Sequence, residues 1–122
     1  MKQRATIICR REDQILYVRK SKSKWTLPGG KVERDETPSQ AAERELREET
    51  GLILNELAYV TQFAGAEVMH HVFEVSVTFI ATPSPNNEIA DCRWFTAKQL
   101  SSINVNPAAK SIVKAFLSNA IP

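Results

Sequence analysis

The chain has 122 residues, 43% hydrophobic and 25% charged, and its 16 Lys and Arg against 14 Asp and Glu leave a net charge of +2. That size and balance suit one globular domain, residues 1–122, with a real core and no room for a second fold. No stretch approaches the ~20 apolar residues of a membrane helix, and the uncharged run 5–9 is too short for a secretory signal, so a cytoplasmic location is expected.

Residues 5–9 and 14–18 are β-rich and flank Arg10-Arg11-Glu12-Asp13, a hairpin signal. Residues 20–24 form a basic loop, and Trp25-Thr26-Leu27 then leads into Pro28-Gly29-Gly30, a turn that stops any helix from starting early. Thr37-Pro38-Ser39-Gln40 reads as a helix start, with Thr37 as N-cap, Pro38 at the first helical position and Gln40 as capping-box partner. Good helix formers follow up to Glu49, and Gly51 stands where a left-handed C-cap belongs.

Further along, a strand is expected over residues 52–63 with a break near Asn55 and Glu56, then a turn at Gly65-Ala66. The longest β-branched and aromatic run falls within residues 68–82 and includes Val72, Phe73, Val75, Val77, Phe79 and Ile80. Residues 83–87 read as loop, 89–95 as a short strand and 97–100 as a turn of helix. A last amphipathic helix over 107–117 carries Ile112, Val113, Phe116 and Leu117 on its apolar stripe. Antiparallel strand signals with two separated helices predict an α+β domain, a mixed sheet covered on both sides.

Chemistry concentrates in the first helix. At 3.6 residues per turn Glu45, Glu48 and Glu49 share one face, with Glu45 and Glu49 roughly 5–6 Å apart at Cβ. Like charges so placed repel unless a cation is shared, and hard oxygen ligands favour Mg²⁺ or Mn²⁺ over zinc or copper. Such an ion suits a pyrophosphate, whose charge it neutralises while it lowers the pKa of a water. Arg44 can pair with Glu48 one turn on and hold that carboxylate in its rotamer. Gly29 and Gly30 let the backbone approach the ion, so a main-chain carbonyl can join the ligands. The plain alternative is an exposed acidic helix laced with Arg–Glu pairs.

Written as a template, Gly30 to Leu52 is G-x5-E-x7-R-E-U-x-E-E-x-G-U, with U aliphatic, filled by Gly30, Glu36, Arg44, Glu45, Leu46, Glu48, Glu49, Gly51 and Leu52. The segment resembles the signature box of the Nudix (MutT-like) hydrolases without a substitution. At roughly 7% usage per residue type, the seven fixed identities would coincide by chance on the order of 10⁻⁸, which disfavours the acidic-helix alternative. The resemblance implies a Nudix α/β/α sandwich with the mixed sheet between helices. It also implies the Gly30 carbonyl, Glu48 and Glu49 as metal ligands, with Glu45 either a ligand or the water-activating base. Many such enzymes place a further glutamate in a late loop, which makes Glu88 a candidate ligand or base. Glu36 is expected to brace the box loop rather than bind metal.

Arg19, Lys20, Lys22 and Lys24 could steer substrate phosphates, Arg19 foremost, against the blander reading of a solvated basic loop. Trp25 and Phe63 are candidates to stack on a nucleobase, against core packing. His70 and His71 are adjacent in a strand, point to opposite faces and cannot readily share one metal. Cys9 and Cys92, isolated from each other, are expected as reduced buried thiols.

The implied function is Mg²⁺-dependent hydrolysis of a pyrophosphate bond in a nucleoside diphosphate linked to another moiety. Markers for ADP-ribose or dinucleoside polyphosphate cleavage would lie 15 to 18 residues past Leu52, where Glu67, Val68, Met69 and His70 stand instead of proline or tyrosine. Nucleoside triphosphates are therefore marginally favoured, as small-molecule substrates. The modest, dispersed charge argues against nucleic acid other than an RNA 5′ end. A ligand sensor or interaction module without catalysis is the alternative from another class, and a homodimer is left open.

Overall fold

The computed structural model describes residues 1–54, 56–78 and 81–118. Strands β1 (Lys2–Arg11), β2 (Gln14–Lys20), β3 (Gly29–Lys31), β4 (Ala58–Ala64), β5 (Val68–Ser76) and β6 (Ile89–Thr96) form one mixed sheet, with helices α1 (Pro38–Thr50) and α2 (Pro107–Leu117) and a 3₁₀ segment over Ala97–Ser102. The order across the sheet is β4-β5-β1-β2-β6, and β3 pairs with β1 off that path. β1 and β5 run parallel in register from Lys2↔Val68 to Arg10↔Ser76, and the other pairs are antiparallel.

Period-two alternation divides the core between the two faces. Ile8, Ile15 and Tyr17 face α2, whose Ala109, Ile112 and Val113 cover them. Ala5, Ile7, Cys9 and Leu16 face α1, which contributes Ala41 and Ala42. The result is a sheet between two helices, the α+β layout expected. Leu46 on α1 is fully buried, which is worth roughly 1.5–3 kcal/mol.

Helix α1 starts and ends where its chemistry dictates. Thr37 accepts the Gln40 N–H at 3.1 Å while Gln40 Oε1 accepts the Thr37 N–H at 2.9 Å. Gly51 caps the other end at φ 75 and donates its N–H to the Arg47 carbonyl.

Two expected strands are shorter in the structure. Residues 52–54 and 56–57 lie outside any strand, and β4 begins at Ala58. Leu52, Leu54 and Leu57 pack on the α1-side core from irregular backbone while Ile53 stands exposed, so their packing is that of a loop rather than a strand. The break expected at Asn55 lies outside the described residues. β5 ends at Ser76 because its partner β1 ends there; Val77 donates a last N–H to the Arg10 carbonyl at 2.8 Å. Phe79 and Ile80 lie outside the described residues. Conversely β3, read from sequence as a turn, is a three-residue strand that continues from the Pro-Gly-Gly run. Cys9 and Cys92 are both free thiols. No helix among the described residues is long and apolar enough to cross a membrane.

Candidate active site

A cleft opens where β1 parts from β2. The two strands pair only at Arg10 and Arg11, while the other half of β1 pairs with β3 through Arg4↔Lys31, Ala5↔Gly30 and Thr6↔Gly29. Residues 25–28 wedge into the fork: Thr26 exchanges backbone bonds with Val18, and Ile7 donates to the Pro28 carbonyl at 2.9 Å. The cavity that results has a volume of about 670 Å³, bounded by β1, β2, β3, α1 and the start of β6.

Two carboxylates of α1 close one end of it. Gly29 donates its N–H to Glu49 Oε1 at 3.0 Å, and the Glu45 carboxylate lies where a side chain on Gly30 would be, 2.5 Å from an ideal Cβ. Glu49 is 7% exposed. Burial first, then the neighbouring Glu45 charge, raises its carboxyl well above the usual range, against the pull of the Gly29 N–H and the Arg4 charge.

Arg44 organises the carboxylates from outside the cleft. Its Nε and Nη2 bond both oxygens of Glu36 at 2.9 and 2.6 Å, and its Nη1 reaches Glu45 Oε1 at 2.7 Å and Glu48 Oε2 at 3.3 Å. Glu36 also accepts the Glu33 N–H at 2.9 Å, so it ties the box loop to the helix. The fork holds its carboxyl down to about 2. Glu48, with its side chain 42% exposed, turns to Arg44 and does not line the cavity. In this conformation no three His, Cys, Asp or Glu among the described residues converge on a common point.

The loop before β6 docks on the end of α1 and takes up its free carbonyls. Ser84 N bonds Thr50 O at 2.8 Å, Asn86 N bonds Glu49 O at 3.1 Å and Asn87 Nδ2 bonds Glu48 O at 2.8 Å. That docking brings Glu88, distant in sequence, to the same cavity as Glu45 and Glu49. There it faces Lys20 at 3.6 Å.

The expected substrate-binding residues fall elsewhere. Arg19 points to the other face of β2 from Val18 and Lys20, binds Asp91 Oδ2 at 3.0 Å and lies 4.4 Å over the Trp25 ring. Trp25, 5% exposed, meets Phe95 edge-on in the α2-side core. Phe63 packs against the same core and faces His70. None of the three lines the cavity.

Arg4 does line it, together with Lys31 and Asn106, and sequence reasoning missed all three. The Arg4 guanidinium bonds Thr6 Oγ1 at 3.3 Å and the Leu27 carbonyl at 3.2 Å, and Thr6 Oγ1 in turn meets His70 Nδ1 at 2.8 Å. Burial lowers the pKa of Arg4, offset in part by the Glu49 and Glu45 charges. His71 turns to the other face and bonds Gln3. No local pattern marks Arg4; its place follows from the β1–β3 pairing.

Comparisons with known proteins agree with this geometry. The family model for the NUDIX domain matches residues 1–116. A "Putative 8-oxo-dGTP diphosphatase" of Bacillus subtilis is 32% identical over 117 residues, covering 93% of this chain and 78% of that protein. The mRNA-decapping enzyme subunit 2 of Saccharomyces cerevisiae is 30% identical over 115 residues, covering 88% of this chain. This chain spans only 11% of that yeast protein's length. A crystal structure of a "putative nudix hydrolase family member from Chromobacterium violaceum" superposes with a TM-score of 0.85 at 29% identity, covering 97% of this chain and 77% of that one. With the box intact, the fold matched and the family model spanning residues 1–116, the chain belongs to the Nudix hydrolase family.

Proposed function

We propose that this protein hydrolyses a pyrophosphate bond in a nucleoside diphosphate linked to another moiety, with nucleoside triphosphates favoured, and that it uses Mg²⁺ or Mn²⁺. One observation carries the reading. Glu45 and Glu49, two adjacent carboxylates with little exposure, sit against a glycine turn at the end of a cleft. Carboxylates so placed repel each other until a cation is shared, and their oxygens are hard donors. The absence of a side chain at Gly30 lets the Glu45 carboxylate lie against the backbone there, which fits that use. The Gly30 carbonyl, Glu45, Glu48 and Glu49 would hold the ion.

When bound, the ion would offset charge on the pyrophosphate and make a nearby water more acidic. The chain's own groups do the rest. Arg44 holds Glu45 and Glu48 in place. Glu45 or Glu88, both on the cleft, takes the proton as the water oxygen bonds to phosphorus. The bridging P–O bond then breaks, and its electron pair leaves with the departing phosphate.

The test is phosphate or pyrophosphate release from nucleoside triphosphates, nucleotide sugars, ADP-ribose and dinucleoside polyphosphates with Mg²⁺ or Mn²⁺, with Glu49→Gln in parallel. Turnover of one class, lost in the variant, supports the reading. No turnover of any of them counts against it. Similarity to the decapping subunit favours a second reading, removal of pyrophosphate from an RNA 5′ end, and a 5′-triphosphorylated oligonucleotide in the same assay tests it.

A further inference from the structure

The cleft gathers charge. With Glu45 and Glu49 at its end and Glu88 at its rim as the carboxylates, Arg4, Lys20, Lys22, Lys24 and Lys31 all line this one cavity. Among the described residues only Lys20 of these has an ion-pair partner, Glu88, and both side chains are more than 60% exposed, so the pair is weak. Arg4 bonds a hydroxyl and a carbonyl, neither of them an anion, although it is half-buried. Arg19 is the contrast, with Asp91 and the Trp25 ring as partners. Arg4 also feels the Glu49 and Glu45 charges, whereas cations gathered in a concave site focus its field on an incoming anion.

A second observation concerns rings. No aromatic side chain among the described residues lines the cavity. Trp25 is committed to Phe95 and Arg19, and Phe63 to the α2-side core. A base is ordinarily gripped by stacking or in an apolar slot, and these walls are mostly charged and polar, with Val18, Leu27 and Ile89 as their aliphatic side chains.

We infer that the cleft selects its substrate by phosphate rather than by base: its ligand is a small polyanion with three or more closely spaced phosphoryl groups, whether or not a nucleoside is attached. The inference deepens, and rests on, the reading of this site as that of a pyrophosphohydrolase. Arg4 offers a planar fork that matches phosphate oxygens, next to Glu45 and Glu49. Lys22 and Lys24 offer mobile point charges on the facing rim. A monophosphate or a nucleotide sugar has too few charges to meet both sets.

Binding can be read apart from turnover. Inorganic tripolyphosphate, ADP-ribose and AMP are titrated calorimetrically into the 122-residue chain without divalent ion at low and moderate salt, and four nucleoside triphosphates are compared as substrates with Mg²⁺. Tripolyphosphate is expected to bind about tenfold or more tighter than the other two and to weaken as salt rises. The Lys22→Gln/Lys24→Gln double variant, altered only on an exposed loop, should bind it about fivefold more weakly with AMP unaffected. The four triphosphates should be cleaved with kcat/KM within about fivefold of one another.

AMP or ADP-ribose binding as tightly as tripolyphosphate overturns the inference, and so does preference for one base by more than about tenfold. A 5′-triphosphorylated RNA that binds about tenfold tighter than tripolyphosphate overturns it in favour of a polymer. Tight tripolyphosphate binding without cleavage of any nucleotide upholds the cleft's specificity and overturns the catalytic reading instead.

Discussion

A Cβ on Gly30 would sit 2.5 Å from Cδ of Glu45, so the missing side chain of one residue and the carboxylate of the other occupy a single space. Gly30→Ala must therefore push Glu45 away from β3 and from Arg44, which now holds it at 2.7 Å. The displaced atoms are the end of a flexible side chain, so stability should fall by only about 1 kcal/mol. Activity should fall about 100-fold, because a shift of an ångström in a catalytic group is enough for that. Gly29→Ala makes the opposite case. Its Cβ would stand 2.1 Å from the Ala5 carbonyl at φ +150, and about 3 kcal/mol or more of stability should go. Denaturant melts and kinetics on both variants separate the effects; wild-type turnover by Gly30→Ala would remove Glu45 from the site.

The pairing of Glu36 with Arg44 should show as a pH dependence of stability. Both side chains are less than a quarter exposed and meet through two bonds. Arg44, and behind it the Glu33 N–H, holds Glu36 at about 2 against an ordinary 4.5. A carboxyl depressed on folding stabilises the native state above its unfolded value and loses that contribution as pH falls through the folded one. Stability on the order of 2 kcal/mol should therefore drain away between pH 4.5 and about 2. Melts across that range should show wild type above Glu36→Gln at pH 6 and the two converging in acid. Curves that stay parallel would count against the pairing.

How far the sequence led follows from how local each signal is. Thr37, Gln40 and Gly51 act within one turn of their own helix, and each stands where its type predicts. Glu45, Glu48 and Glu49 share a face by helical period alone. Glu88 was a guess from resemblance, and it reaches the cleft only because Ser84, Asn86 and Asn87 bond the last carbonyls of α1. Sequence alone does not place Arg4 on the cleft or Phe63 against the core. Whether a strand residue faces a cleft or a core depends on which strands neighbour it, and the fork between β1 and β2 is a long-range event. Leu52, Leu54 and Leu57 are a similar case: they pack on the α1-side core without belonging to a strand.

Burial of Glu49 should make the metal-free protein less stable than it could be. Its carboxyl is raised on folding, chiefly by burial and then by Glu45. A raised carboxyl destabilises the native state once ionised, so the cost is absent below the unfolded value of about 4.5 and grows as pH rises through the folded value. Glu49→Gln keeps an oxygen for the Gly29 N–H and removes the charge. Without divalent ions at pH 8 to 9 it should melt above wild type by about 1–2 kcal/mol, with the gap closing toward pH 4. Added Mg²⁺ or Mn²⁺ should raise the wild-type melting temperature more than the variant's. Equal shifts in both would take Glu49 out of the metal site.

Glu88 and Glu45 both face the cleft, but only one of them is needed as the base, and their surroundings differ. Glu45, 15% exposed at its side chain, is fixed by Arg44 against Gly30, a setting suited to a ligand. Glu88, 67% exposed, meets Lys20 at 3.6 Å and stands on a loop anchored through other residues. Glu88→Gln should therefore leave stability within about 0.5 kcal/mol and leave the cation-induced rise in melting temperature intact. It should lower kcat by a factor of about 10² to 10⁴. Glu45→Gln should lose the cation-induced shift as well. If Glu88→Gln keeps full kcat, proton removal belongs to Glu45, and the charge at position 88 serves to hold Lys20 at the rim.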